Sequence, residues 1–349
     1  MRIVSAGYRP YTLRLRHPWR SAHGRLGERT GLLLELSTDC GWQGYGDAAP
    51  LPELGSETLG DSAQWLAQHL PALRGLDPDQ ALNRLGPPSH CSSARCALET
   101  ALLDLLAQQR HLPLRRLLNP QAAERLEVNA NLGALDDRAA DRAMNATGFR
   151  VYKLKVGIAS VRDELALLGR LATSLPTGVS LRLDANGAWS AARAVAFLEG
   201  LRGLPVESLE EPLADPTLAS LRTLQQAAPC TLALDESIGA LDLSGLLEQR
   251  PVRRLVLKPM LHGGLLPCLA IAGQARRAGL EVVITTSLDS AAGTWAAAQL
   301  AAALGMEAAT LAHGLATSGW LAADLGPSPQ IQQGLLHLPD RPGLGFRPS

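Results

Sequence analysis

Val151-Tyr152-Lys153-Leu154-Lys155-Val156 is the stretch on which the reading of the fold turns. Side chains two apart on a strand face the same way, so Lys153 and Lys155 point to one side. In a closed barrel that side is the interior, although an exposed edge strand guarded by lysines would look alike. The surrounding sequence favours the barrel. From Leu126 onward, short apolar strands alternate with Ala- and Leu-rich helices, the signature of parallel βαβ units. Strands are expected near 127–131, 150–156, 179–184, 206–210, 231–235, 253–258, 281–286 and 308–312. Eight such units with short connections are better explained by a closed (β/α)8-type barrel, a modified TIM barrel, than by an open sheet.

Upstream the pattern differs. Residues near 2–15 and 29–48 read as a β-meander, with the turn Thr38-Asp39-Cys40-Gly41 inside its second part. A helix is expected from Ser92 to Gln109, with Leu98, Leu102, Leu105 and Leu106 on one face and Ser92 or Ser93 as its cap. This predicts an α+β capping domain over 1–122 and a catalytic barrel over 123–324. The Pro- and Gly-rich tail 325–349 is too irregular for another unit and is expected to return to the capping domain.

Bulk properties narrow the functional classes. At 349 residues the chain suits two domains or one large barrel with an appendage. With 46% hydrophobic and 19% charged residues its balance is that of a soluble globular protein. A formal net charge of zero provides no field to draw nucleic acid or an anionic membrane, which leaves a small molecule as the default partner. Five cysteines without a Cys-x-x-Cys suggest neither a disulfide framework nor a zinc site. Arg2, Arg9, Arg14 and Arg16 leave no room for the apolar core of a signal peptide, and no apolar run reaches membrane-span length. A cytoplasmic protein is expected, with monomer and homo-oligomer both open.

Lysine usage is more pointed. Of the 33 basic residues only three are lysines, Lys153, Lys155 and Lys258. Arginine holds its proton under working conditions, whereas lysine can be tuned into a base, so lysines persisting in this background are candidates for chemistry. Lys155, Asp184, Glu210, Asp235 and Lys258 fall at the ends of five successive expected strands, with separations of 29, 26, 25 and 23 residues. Each separation is about one βα unit, and active sites form at the C-terminal mouth of such barrels. Taken singly, each acid reads more simply as a turn residue or helix cap. Together, three converging carboxylates would repel one another without a cation, and an all-oxygen set selects a hard ion such as Mg²⁺.

Lys153-Leu154-Lys155, Asp184-Ala185-Asn186, Glu210-Glu211-Pro212, Asp235-Glu236-Ser237 and Lys258-Pro259 closely resemble the enolase superfamily in its lysine-lysine, muconate lactonizing enzyme-like subgroup. Ala48-Ala49-Pro50-Leu51-Pro52 and the Pro-Gly-Leu-Gly tail resemble it too, so the likeness covers nearly the whole chain. Members of that superfamily use a Lys or His base with Mg²⁺ to stabilise an enediolate. The resemblance implies that Asp184, Glu210 and Asp235 bind Mg²⁺, with Mn²⁺ able to substitute. It places Lys155 and Lys258 on opposite faces of a small anionic substrate, with Lys153 tuning Lys155 and touching the substrate carboxylate. Glu211 should point away from the metal. A mandelate racemase-like His base is disfavoured, because Thr285-Thr286-Ser287 occupies the end of the seventh strand.

Within the subgroup, dipeptide epimerases carry acidic residues at the eighth strand, where this chain has Leu311-Ala312-His313-Gly314-Leu315-Ala316-Thr317. Thr285-Thr286-Ser287-Leu288-Asp289-Ser290 instead resembles the hydroxyl-rich motif of o-succinylbenzoate synthases, departing from its commonest form at 285, 286 and 289. That likeness implies Mg²⁺-dependent dehydration of a 2-succinyl-6-hydroxy-cyclohexadiene carboxylate on the menaquinone or phylloquinone route. Asn186, Thr285, Ser287 and Gly314 are expected to bind substrate, and a loop from Arg16 to Leu26 with Trp19 and Arg20 to cover the site. His262 and His313, also at strand ends, read as solvated loop residues. The rival readings are an N-succinylamino acid racemase, which needs both lysines as proton carriers, and an inactive binding scaffold, disfavoured because every acid, base and ligand position is filled.

Overall fold

The structure, a computed structural model, describes residues 1–22, 24–88, 90–307 and 310–349. The chain opens with an antiparallel sheet of β1 (Ile3–Ser21), β2 (Gly24–Thr38) and β3 (Gln43–Ala48). Both long strands run past the expected meander. Pairing shifts register between Arg14 and Trp19 and resumes with Trp19 opposite Leu26, so the expected loop from Arg16 to Leu26, apart from residue 23, which lies outside the described residues, belongs to a β-hairpin.

The helix Ser92–Gln109 lies on this sheet, and two cores meet along it. Leu98, Leu102 and Leu105 pack with Leu32, Leu34 and Leu36, while Leu103 and Leu106 belong to the larger core around the parallel sheet. The helix is therefore buried almost all round rather than on one face. Each leucine removed from water on both sides contributes about 1.5–3 kcal/mol. Its N-terminus also differs from expectation. Cys91 is the N-cap and makes no side-chain cap bond, Ser92 and Ser93 sit inside the first turn, and Glu57 accepts the Ala94 N–H at 3.0 Å. A carboxylate brought from another segment satisfies donors that no local residue reaches.

Gly44 and Gly46 on β3 let the helix approach. A Cβ at Gly46 would sit 1.9 Å from the Ala97 carbonyl oxygen, and one at Gly44 2.3 Å from that of Ala101. Backbone cannot yield as a side chain tip does, so Gly46→Ala is expected to destabilise the protein by about 3 kcal/mol or more. A urea midpoint unchanged from the parent would contradict this packing.

Next comes β4 (Arg125–Glu127), then seven parallel strands paired in chain order: β5 (Ala130–Ala134), β6 (Val151–Lys155), β7 (Ser180–Asp184), β8 (Val206–Glu210), β9 (Thr231–Leu234), β10 (Arg254–Leu257) and β11 (Glu281–Ile284). Helices return the chain between them, giving an α/β fold with a curled parallel sheet. The strand expected at 127–131 is thus divided between β4 and β5. Of the strand expected at 308–312, residues 308 and 309 lie outside the described residues, and parallel bridging falls later, at Val128 with His313 and Thr285 with Gly314. The tail forms β12 (Ile331–Gln332) and β13 (Leu335–His337), which pair in the order β12-β13-β4. It then reaches the N-terminal segment, where Asp104 accepts the Leu344 N–H at 2.7 Å and Phe346 meets Tyr45 edge-on, 5.5 Å between centroids.

Candidate active site

Parallel pairing in register brings the ends of β6, β7 and β8 together, with Lys155 opposite Asp184 and Asp184 opposite Glu210. Asp235 follows β9 directly and Lys258 follows β10. One oxygen from each of Asp184, Glu210 and Asp235 lies within 4.8 Å of the others, and all three residues are buried. At that spacing two full charges repel by about 3 kcal/mol at an effective dielectric of about 20.

The lysines answer this crowding. Lys153 Nζ donates to both oxygens of Glu210 at 2.7 Å and lies 2.8 Å from Asp184. Lys155 Nζ donates to Asp184 Oδ2 at 2.6 Å and Asn186 Oδ1 at 2.8 Å. Lys258 Nζ donates to Asp235 Oδ2 and lies 3.7 Å from Glu236. Lys153 and Lys155 hold the Asp184 carboxyl well below its ordinary range against the opposing effect of burial. Burial, then the Asp184 charge, pushes Glu210 up to about 8, and burial with Glu236 pushes Asp235 to about 6. Asp184 and Asp235, outweighing burial, hold the Lys153 and Lys258 ammonium groups respectively well above the usual lysine value.

A hard divalent cation fits these residues. The donors are all oxygens, and Asp235 Oδ1 is buried with no hydrogen-bond partner among the described residues. Backbone geometry holds the set in place. Glu211, at φ 44°, turns away from the triad and accepts the Asp235 N–H at 2.7 Å, the Ser237 N–H at 3.0 Å and the Ser237 hydroxyl at 2.6 Å. Burial raises the Glu211 carboxyl to about 7, the Ser237 hydroxyl acting against it. Glu164 fixes the loop beyond Lys155 through the N–H groups of Gly157, Ile158 and Ala159.

A cavity opens over this cluster. Its wall includes Lys153, Lys155, Asp184, Asn186 and Lys258, together with Thr285, Ser287 and Gly314. Thr285 Oγ1 donates to the Gly314 carbonyl at 3.0 Å, and a Cβ on Gly314 would meet that hydroxyl at 2.3 Å. Ser287 Oγ is buried without a partner among the described residues. Trp19 lines the cavity from the hairpin; its exposed neighbour Arg20 is not part of the wall, whereas Arg25, opposite Arg20, is. Neither His262 nor His313 lines it, and neither is the solvated loop residue expected. His313 is fully buried and its Nδ1 accepts the Ile284 N–H at 3.0 Å. His262 Nε2 is buried, and burial, then Lys258, lowers that ring to about 4.

Sequence reasoning passed over two acids on the wall. Glu236 accepts the Asn186 side-chain N–H at 2.9 Å and was masked by the stronger signal of Asp235 beside it. Glu53 reaches the cavity from the short turn Pro52–Leu54, where no periodicity marks it.

A curled parallel sheet with carboxylates and lysines gathered at its strand ends defines the class of TIM-like barrel enzymes. The chain belongs to the enolase superfamily: residues 136–349 match the enolase C-terminal domain-like family, and residues 8–119 match the mandelate racemase / muconate lactonizing enzyme N-terminal domain. It is 36% identical to an o-succinylbenzoate synthase of Yersinia pestis (strain Pestoides F) over 80% of each chain. It is 30% identical to a hydrophobic dipeptide epimerase of Citrifermentans bemidjiense over 96% of this chain and 94% of the relative. Among solved structures, the muconate lactonizing enzyme of Pseudomonas fluorescens complexed with muconolactone superposes with a TM-score of 0.91 at 25% identity, covering 100% of this chain and 97% of that one. Members of the superfamily with lyase, epimerase and isomerase activities are thus similar to this chain at comparable levels.

Proposed function

We propose that this protein is an o-succinylbenzoate synthase, built as a (β/α)8-type barrel over 123–324 with a capping domain over 1–122 joined by the tail 325–349. The observation that carries the reading is the hydroxyl wall: Thr285, Thr286 and Ser287, whose Oγ has no partner among the described residues, line the same cavity as the lysines. The Ser287 hydroxyl can donate to the distal carboxylate of a succinyl group, and the likeness to the Yersinia synthase supports the reading.

Asp184, Glu210 and Asp235 would hold Mg²⁺, which supplies positive charge to the substrate carboxylate when bound. Lys155 takes the proton α to that carboxylate. The resulting ammonium then returns its proton to the departing hydroxyl, so water leaves and the ring becomes aromatic. Lys258 stays charged on the other side of the ring. Asn186 orients Lys155 through its 2.8 Å bond, and the hairpin carrying Trp19 excludes water.

A second reading, N-succinylamino acid racemase, is favoured by one observation: Lys155 and Lys258 both line the cavity, as two-sided proton transfer requires. Purified protein with Mg²⁺ should convert the cyclohexadiene carboxylate to 2-succinylbenzoate. Epimerisation of dipeptides with no such conversion would overturn the synthase reading, and Glu53 on the cavity wall would then be the carboxylate to test against a substrate ammonium.

A further inference from the structure

Trp19 lines the cavity from the hairpin, and its aromatic partner lies outside the cavity wall. Trp19 and Trp320 meet edge to face, with ring centroids 4.9 Å apart and planes at 80°. The other face of this contact is chemical, because Lys155 Nζ lies 5.7 Å from the centroid of the Trp19 ring. Trp320 belongs to the turn Ser318–Trp320, beyond the last bridge of the parallel sheet, and is only partly buried.

Three features key that indole into place. Its Nε1–H donates to the Asn131 carbonyl at 3.3 Å, on the strand that pairs Asn131 with Lys153. Gly133, at φ 73°, makes room for the ring, since a Cβ there would lie 2.6 Å from it. The residues after Trp320 fasten the hairpin's base, through the bridge of Leu15 with Leu321 and the Ala322 N–H donated to the Arg14 carbonyl at 2.8 Å. That base lies where β1 and β2 lose their pairing, between Arg14 and Trp19. A register break is a natural hinge, because ladder bonds no longer tie one strand to the other there.

We infer that Trp320 is a positioning residue that holds the hairpin closed by seating Trp19 against Lys155. The inference rests on the reading of Lys155 as the base at this site, and it adds a residue with no contact to substrate. Arg16, Arg20 and Arg25 are exposed on the hairpin and report its opening as trypsin sites. An edge-to-face aromatic pair shifts an opening equilibrium by about twofold to tenfold, and apparent substrate affinity falls with the closed fraction.

The test compares the full-length protein with its Trp320→Leu and Trp320→Phe variants in the presence of Mg²⁺. Trp320→Leu should cut about twofold to tenfold faster after Arg16, Arg20 or Arg25, with the kinetic loss falling on KM rather than on kcat. Phe keeps an aromatic edge, so Trp320→Phe should recover most of both. The inference is overturned if Trp320→Leu leaves cleavage at those arginines unchanged, if Trp320→Phe is as impaired as Trp320→Leu, or if kcat falls while KM stays constant. Should Trp320→Leu fail to fold, Trp19→Leu removes the partner ring, and unchanged cleavage in that variant overturns it equally. Proteolysis needs no substrate, so the latch is read even if the protein turns over none of the proposed compounds.

Discussion

Asp235→Asn is expected to reduce turnover by at least about a thousandfold while leaving the fold intact, because several kcal/mol of transition-state stabilisation pass through the bound cation. The amide keeps the shape of the side chain and removes its charge. Asp235 Oδ1, buried and unpartnered among the described residues, becomes either a neutral acceptor or an N–H aimed at the ion. Asp184→Asn and Glu210→Gln should behave likewise, and calorimetry should show Mg²⁺ binding weakened in all three. Proton competition gives an independent signature. Glu210 is pushed up to about 8 by burial and by Asp184, and Asp235 to about 6 by burial and Glu236, so both carry protons over part of the neutral range. A metal takes deprotonated carboxylates, so affinity should rise with pH from about 6 to 8 and binding should release protons. Near-normal activity in two of the three variants, or in excess chelator, would remove the metal from the account.

The strand-end set was legible because its spacing repeats the βα unit. Lys155, Asp184, Glu210 and Asp235 recur at the fold's own period, and parallel pairing in register turns that period into proximity. What escaped were partnerships between distant segments. Glu57 caps the helix at Ala94 from 37 positions away, and Glu211 braces Asp235 across two strands. Neither has a local signature, since Glu57 lies in an irregular stretch and Glu211 reads as the second half of an acidic pair. The hairpin from Arg16 to Leu26 reads as a loop in the sequence because its polar residues show no alternation, and its register breaks midway. Trp320 had no periodic neighbour at all, and only the depth allowed by Gly133 reveals its place.

The two lysines are separable by asking which of them must lose a proton. Lys155 donates to Asp184 and Asn186, while Lys258 donates to Asp235 and lies 3.7 Å from Glu236. In the synthase reading Lys155 performs both proton transfers and Lys258 contributes only charge. Arginine keeps charge without titrating, so Lys155→Arg should lower synthase activity by about a thousandfold, whereas Lys258→Arg should retain measurable turnover. Racemisation places the opposite demand on Lys258, since it needs a base on each face. Lys258→Arg should therefore stop racemisation of N-succinylamino acids and confine solvent deuterium exchange to the one enantiomer whose proton Lys155 reaches. Arginine is bulkier and crowds the ring, so the deciding quantity is the asymmetry between the two variants rather than either rate alone. If Lys258→Arg proved as inactive in dehydration as Lys155→Arg while still folding and binding Mg²⁺ and product, Lys258 would have to move a proton, and the assignment of a single base would fail.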